Sequence, residues 1–69
     1  MKISARNMLK GTVRDVKFGT VNSVVTLELP GGIPVVAMIT KESAESLKLA
    51  PGKEAYVVIK ASNVMIAVD

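Results

Sequence analysis

Three short polar clusters in this 69-residue chain carry the residue types that bind anions. They are Ser4-Ala5-Arg6-Asn7, Thr40-Lys41-Glu42-Ser43 and Lys60-Ala61-Ser62-Asn63. Arginine supplies a rigid fork of N–H donors, lysine supplies a point charge, and serine and threonine supply neutral hydroxyl donors. A small oxyanion is the ligand that such donors suit best.

Each cluster also has an ordinary structural explanation. Residues 4–7 suit a solvated lead-in to a first strand, and residues 60–63 suit a hairpin with an exposed lysine. Thr40 is placed to cap a helix by accepting a hydrogen bond from the Ser43 amide. The same helix start would present free amides and a positive dipole end to an anion, provided that Glu42 points away. The clusters therefore indicate a binding site only in combination.

The composition excludes most catalytic chemistry. The chain has no cysteine and no histidine, which removes disulfides, thiol nucleophiles, imidazole acid–base catalysis and the usual zinc sites. The clusters contain no activated nucleophile, so we expect a binding protein with no metal site and no cofactor, and not an enzyme. The net charge of +3 is spread along the chain, which suits a small anion better than a nucleic acid.

Size and hydropathy predict one domain, residues 1–69, that assembles with copies of itself. Apolar residues make up 49% of the chain, yet Phe18 and Tyr56 are its only aromatic residues. A chain this short cannot bury so much Val and Ile internally, so we expect a homo-oligomer. No stretch has the length of a signal peptide or a membrane span, which predicts a cytoplasmic location and no membrane partner.

The apolar residues recur with period two in short segments separated by Gly or Pro, which predicts strands. The apolar phase slips near Arg14-Asp15, so we expect a bulge there. The five predicted strands are Leu9–Phe18, Val21–Leu29, Val35–Ile39, Ala55–Lys60 and Val64–Val68. The alternation in the second strand predicts one core face, formed by Val21, Ser23, Val25, Leu27 and Leu29.

One segment, Thr40–Leu49, has Ala and Glu in place of β-branched residues and predicts a short helix between the third and fourth strands. Five strands with a helix in that position predict an all-β, OB-like Greek-key barrel. A five-stranded stack with another strand order stays open.

Five motifs, which follow one another along the chain from residue 3 to residue 64, resemble the molybdate-binding Mop domain of molbindins. The motifs are Ile3-Ser4-Ala5-Arg6-Asn7-x-Leu9-Lys10-Gly11-x-Val13, Gly19-Thr20-Val21-Asn22, Ala37-x-Ile39-Thr40-x-x-Ser43, Leu47-x-Leu49-x-x-Gly52-Lys53 and Ile59-Lys60-Ala61-Ser62-x-Val64. The resemblance implies binding of molybdate or tungstate, for molybdenum storage, homeostasis or delivery.

The same resemblance implies which residues contact the oxyanion and how the chains assemble. The implied contacts are Ser4, Ala5, Arg6, Thr40, Ser43, Lys60 and Ala61. Similar one-domain proteins are hexamers, built as trimers of dimers, with anions at interfaces between chains. A second class of site near Gly19-Thr20-Val21-Asn22 is a further expectation.

Selectivity and a rival function follow from what the clusters lack. No carboxylate belongs to the implied contacts, which suits a fully deprotonated anion such as molybdate or sulfate better than phosphate, since phosphate still carries a proton near neutral pH. The size discrimination against sulfate rests on the resemblance alone.

The main rival function is that of a nucleic-acid-binding OB module, but such modules stack bases on several aromatic rings, and this chain has only Phe18 and Tyr56.

Overall fold

The computed structural model describes all residues from 1 to 69, and it is an antiparallel sheet with one short helix. Its elements are β1 (Asn7–Phe18), β2 (Asn22–Leu29), β3 (Ile33–Thr40), α1 (Lys41–Ser46), β4 (Glu54–Ile59) and a 3-10 turn (Ala61–Asn63). The mostly β fold and the helix between the third and fourth strands are confirmed. No helix of the chain is long and apolar enough to cross a membrane.

The strand order is β3-β2-β1-β4, with every neighbouring pair antiparallel. Three consecutive strands and a fourth that returns beside the first form a Greek key. The helix α1 lies in the long return connection and packs against β2 and β3. The predicted Greek-key order is therefore present, in a sheet of four strands.

The predicted core face of the second strand is confirmed within β2, whereas Val21, which precedes β2, is 69% exposed. Ser23, Val25 and Leu27 are buried, and the core cluster adds Val13 from β1 and Val57 from β4. The predicted bulge in β1 is confirmed, because the pairing with β2 shifts between Val13 and Asp15 and leaves the residue between them without a register partner.

The predicted fifth strand, Val64–Val68, is wrong for the single chain, and the sheet is not a closed barrel. The apolar pattern of this segment suits a strand, but the segment follows the 3-10 turn and pairs with neither edge strand of the sheet. As a result, Met65 is 92% exposed and Ile66 is 91% exposed. A strand needs a neighbouring backbone to pair with, and this chain does not supply one.

The helix is shorter than the predicted Thr40–Leu49, because it ends in a Schellman motif. The Leu49 amide donates to the Ala44 carbonyl at 3.1 Å, and the Lys48 amide donates to the Glu45 carbonyl at 3.0 Å. Lys48 has a φ of 54°, which is the left-handed conformation that this motif requires. The Lys53 ammonium also donates to the Leu47 carbonyl at 2.6 Å, so the end of the helix is capped by a backbone turn and by a side chain.

Candidate functional site

The first and third polar clusters lie side by side in the fold. Antiparallel pairing of β1 with β4 places Asn7 opposite Ile59, so the residues before β1 meet the residues after β4. The two segments form an open cavity of about 430 Å³. It is lined by Ile3, Ser4, Ala5, Arg6, Lys60, Ala61 and Ser62. Five of the seven predicted contacts therefore share one cavity.

The charges of this cavity suit the binding of an anion. Arg6 and Lys60 belong to neither of the two ion pairs in the chain, and no carboxylate lines the cavity. The amides of Ser4 and Ala5 donate to no backbone acceptor, and the hydroxyls of Ser4 and Ser62 form no hydrogen bond within the chain. The cavity therefore offers two cations and several neutral donors without any competing acid.

The second cluster lies at the opposite end of the sheet. Thr40 pairs with Asn22 at the start of β2, close to the end of β1, whereas the cavity of Arg6 and Lys60 adjoins the start of β1. A strand of 12 residues spans roughly 35 to 40 Å. Thr40 and Ser43 are thus not part of the same cavity within one chain.

The hydroxyls at the start of α1 form a relay with one free proton. Thr40 Oγ1 accepts from the Ser43 amide at 3.0 Å, which confirms the predicted cap, and it donates to Ser43 Oγ at 2.7 Å. The Ser43 hydroxyl proton remains available to a ligand. Glu42 lines the two shallow cavities beside this helix start, so an anion here would also meet a carboxylate.

The predicted second class of site, around Gly19-Thr20-Val21-Asn22, adjoins the same helix start. Thr20 and Val21 line one of those shallow cavities together with Lys41, Glu42 and Glu45. The Lys41 amide donates to the Val21 carbonyl at 2.8 Å and is not free for a ligand. This cavity holds one cation against two carboxylates, so its charge favours a dianion less than that of the Arg6 and Lys60 cavity.

Two further cations on β1, Lys10 and Arg14, each form an ion pair with a carboxylate. Lys10 Nζ lies 3.2 Å from a Glu54 carboxylate oxygen, and Arg14 pairs with Glu28. The hydrogen bond with Glu54 and its charge raise the pKa of Lys10. A separate cavity of about 440 Å³ at the β2–β3 turn is lined by Lys10 and both glutamates. Lys10 and Arg14 are therefore paired with carboxylates, unlike Arg6 and Lys60.

Sequence reasoning did not select two residues that line the cavity, Ile3 and Ser62. Ser62 lies in the third polar cluster, so its hydroxyl was visible in the sequence, whereas Ile3 opens the first motif but has no polar side-chain atom. No cluster of three or more Asp, Glu, His or Cys residues that could hold a metal ion is present.

Comparison with known proteins identifies the family. A model of the TOBE domain matches residues 3–66. The chain belongs to the TOBE domain family. Within that family it is a Mop-type domain, which confirms the resemblance seen in the motifs. It is 44% identical to the probable molybdenum-pterin-binding protein of Haemophilus influenzae, over 100% of both chains.

Solved structures agree with the family assignment. The molybdate-binding protein from Sporomusa ovata matches with a TM-score of 0.93 at 35% identity, covering 99% of this chain and 100% of that one. The cytoplasmic molybdate-binding protein ModG, in a form with molybdate bound, matches with a TM-score of 0.90 at 51% identity. The match to ModG covers 94% of this chain and 46% of that one.

Proposed function

We propose that this domain binds molybdate or tungstate as the intact oxyanion and does not catalyse a reaction. The observation that carries the proposal is the cavity in which Arg6 and Lys60 stand without a carboxylate partner among neutral donors. A buried or half-buried dianion is stable only where cations and hydrogen bonds replace its water. The names of the relatives, which are molybdate-binding and molybdenum-pterin-binding proteins, support molybdenum as the element bound.

The contacts that we propose are Ser4, Arg6, Lys60 and the neighbouring amides of Ala5 and Ala61 in the cavity. An oxyanion fits this lining better than a pterin does, because no aromatic side chain lies there to stack on a ring and no carboxylate lies there to accept from ring nitrogens. Both aromatic residues of the chain lie elsewhere.

We propose that the Thr40 and Ser43 donors act through a second copy of the chain. They lie at the far end of the sheet from Arg6 and Lys60, so only a neighbouring subunit can bring the two sets together at one anion. This supports a homo-oligomer with anions at its interfaces, and we propose the hexameric, trimer-of-dimers assembly. Binding and assembly are then coupled, since each subunit contributes only part of a site.

The exposed apolar segment Val64–Val68 independently supports self-association. Its large side chains are mostly in contact with solvent, and both edges of the sheet, at β3 and β4, are unpaired. A segment with a strand pattern and a sheet with open edges are complementary surfaces of two copies of this chain. The cell would use such an assembly in the cytoplasm to store, buffer or deliver molybdenum.

The direct test is thermal unfolding with molybdate, tungstate, sulfate, phosphate and a molybdenum pterin. At an anion concentration of about 100 times Kd, binding stabilises the folded protein by about 2.7 kcal/mol. We therefore expect molybdate and tungstate to raise the melting temperature and phosphate to leave it unchanged. A shift with the pterin alone would replace the oxyanion proposal, and no shift with any of these compounds would refute molybdenum binding.

Calorimetry on variants tests the site. Removing a charge-assisted donor costs about 1.5 to 3 kcal/mol, so Arg6→Ala and Lys60→Ala should each weaken molybdate binding by about 10- to 150-fold. Lys10→Ala is the matched control, because it removes an equal charge from a lysine that is paired with Glu54. Equal losses in all three variants would show that net charge, and not this cavity, governs affinity.

A further inference from the structure

The half-buried side chain of Asn7 is the only one that forms a hydrogen bond with the backbone of a distant part of the chain. Its Nδ2 group donates to the Ile59 carbonyl at 3.2 Å, across 52 positions of sequence. Every other hydrogen bond from a side chain to the backbone joins residues at most six positions apart. This bond is thus the one hydrogen bond between a side chain and the backbone that joins distant parts of the chain, whereas the ion pairs Lys10–Glu54 and Arg14–Glu28 join side chains.

The bond lies at the base of the Arg6 and Lys60 cavity. Asn7 directly follows the lining residues 4–6, and Ile59 directly precedes the lining residues 60–62. The pairing of β1 with β4 also ends here, with Asn7 opposite Ile59. Beyond this point the amides of Ser4 and Ala5 have no partner in the sheet, so nothing in the backbone ladder continues to hold the two segments together.

We propose that Asn7 is a positioning residue for the oxyanion site, which it serves by clamping the Ser4–Arg6 segment against the Lys60–Ser62 segment. The inference rests on the proposed function. Asn7 itself does not line the cavity and need not contact the anion. Its amide fixes the separation of the two cations before the anion arrives, which reduces the ordering that binding would otherwise require.

Asparagine is suited to this role by its length and its neutrality. Its carboxamide donates a hydrogen bond without bringing a charge near the site, whereas aspartate at this position would lose the donor and repel a dianion. A leucine side chain has nearly the same shape but no donor. These two substitutions therefore separate the hydrogen bond from the charge.

The experiment compares Asn7→Leu and Asn7→Asp with two controls on the full chain. Asn63→Asp adds the same charge in the turn after Lys60, at a side chain that forms no hydrogen bond. Leu27→Val weakens the core at a distance from the site and leaves Asn7 intact. If Asn7→Leu does not fold, Asn7→Ser provides the milder loss of the same bond. Each protein is measured by calorimetric titration with molybdate and by backbone NMR order parameters without ligand.

We expect Asn7→Leu to weaken molybdate binding about two- to tenfold, the range that corresponds to one net hydrogen bond. We also expect lower backbone order parameters in residues 4–6 and 60–62 of the ligand-free variant. Leu27→Val should change neither the molybdate affinity nor the backbone mobility of these two segments. Asn7→Asp should weaken molybdate binding more than Asn63→Asp does.

Unchanged order parameters in these two segments of Asn7→Leu would overturn the proposal, and so would an equal loss of affinity in Leu27→Val. Equal losses in Asn7→Asp and Asn63→Asp would assign the aspartate effect to charge alone and would also count against the clamp. If the unmodified protein binds no molybdate, the proposed function fails by itself. The comparison of order parameters then still decides whether Asn7 holds the two segments together.

Discussion

Substitution of Ile66 by aspartate tests whether a second copy of the chain covers the C-terminal segment. Ile66 is 91% exposed in the single chain. If the chain functions alone, Ile66→Asp changes a solvated side chain, and the free energy of unfolding should stay within about 0.5 kcal/mol of its original value. If another copy covers the segment, the same change removes a buried side chain and introduces a charge.

The magnitude follows from burial. Covering an isoleucine side chain contributes about 1.5 to 3 kcal/mol, and a symmetric dimer contains two such contacts, so the dimer should lose about 3 to 6 kcal/mol. This loss corresponds to a dissociation constant raised by about 10² to 10⁴.

Light scattering with size-exclusion chromatography measures the mass as a function of concentration. Phe18→Asp is the control, because Phe18 is a large apolar side chain with 52% exposure at the end of β1, which is an inner strand of the sheet. We expect Ile66→Asp to dissociate the oligomer and to reduce molybdate affinity with it. An assembly that keeps its mass and its stability in Ile66→Asp would refute the reasoning that the segment packs on another copy.

Two further predictions concern stability. Lys48→Gly should raise the free energy of unfolding by about 1 kcal/mol, because Lys48 has a φ of 54° and glycine adopts this conformation without steric cost; chemical denaturation checks this against Lys48→Ala, which should give no such gain. Ser23→Ala should also stabilise the protein by about 1 kcal/mol, because the Ser23 hydroxyl is fully buried and has no hydrogen-bond partner. A lower melting temperature of Ser23→Ala would show that this hydroxyl has a partner in the assembled protein.

The local features of the fold were predictable from the sequence because they depend on nearby residues. The alternation in β2 assigned its buried face, the phase slip near Arg14 located the bulge, and Thr40 was correctly placed as the helix cap. The early end of the helix was not predictable in the same way, since it depends on Lys48 adopting a left-handed conformation that glycine usually takes.

The site was predictable only in part, because its geometry depends on strand register. The residue types at Arg6 and Lys60 suggested an anion site, but their meeting in one cavity follows from the pairing of Asn7 with Ile59, which no local pattern encodes. Conversely, Thr40 and Ser43 have the right chemistry but lie at the other end of the sheet.

The wrong prediction of a fifth strand and the divided site have the same physical origin. The apolar pattern of Val64–Val68 indicates that the segment needs an apolar neighbour, and the hydroxyl donors of Thr40 and Ser43 suit an anion. Neither pattern indicates which copy of the chain supplies that neighbour or the remaining ligand residues. In the single chain both needs are unmet, since the segment is exposed and the donors lie apart from Arg6 and Lys60. On the proposed function, one assembly of identical chains meets both needs, so a variant that prevents assembly should also lose the anion site even with every proposed ligand residue intact.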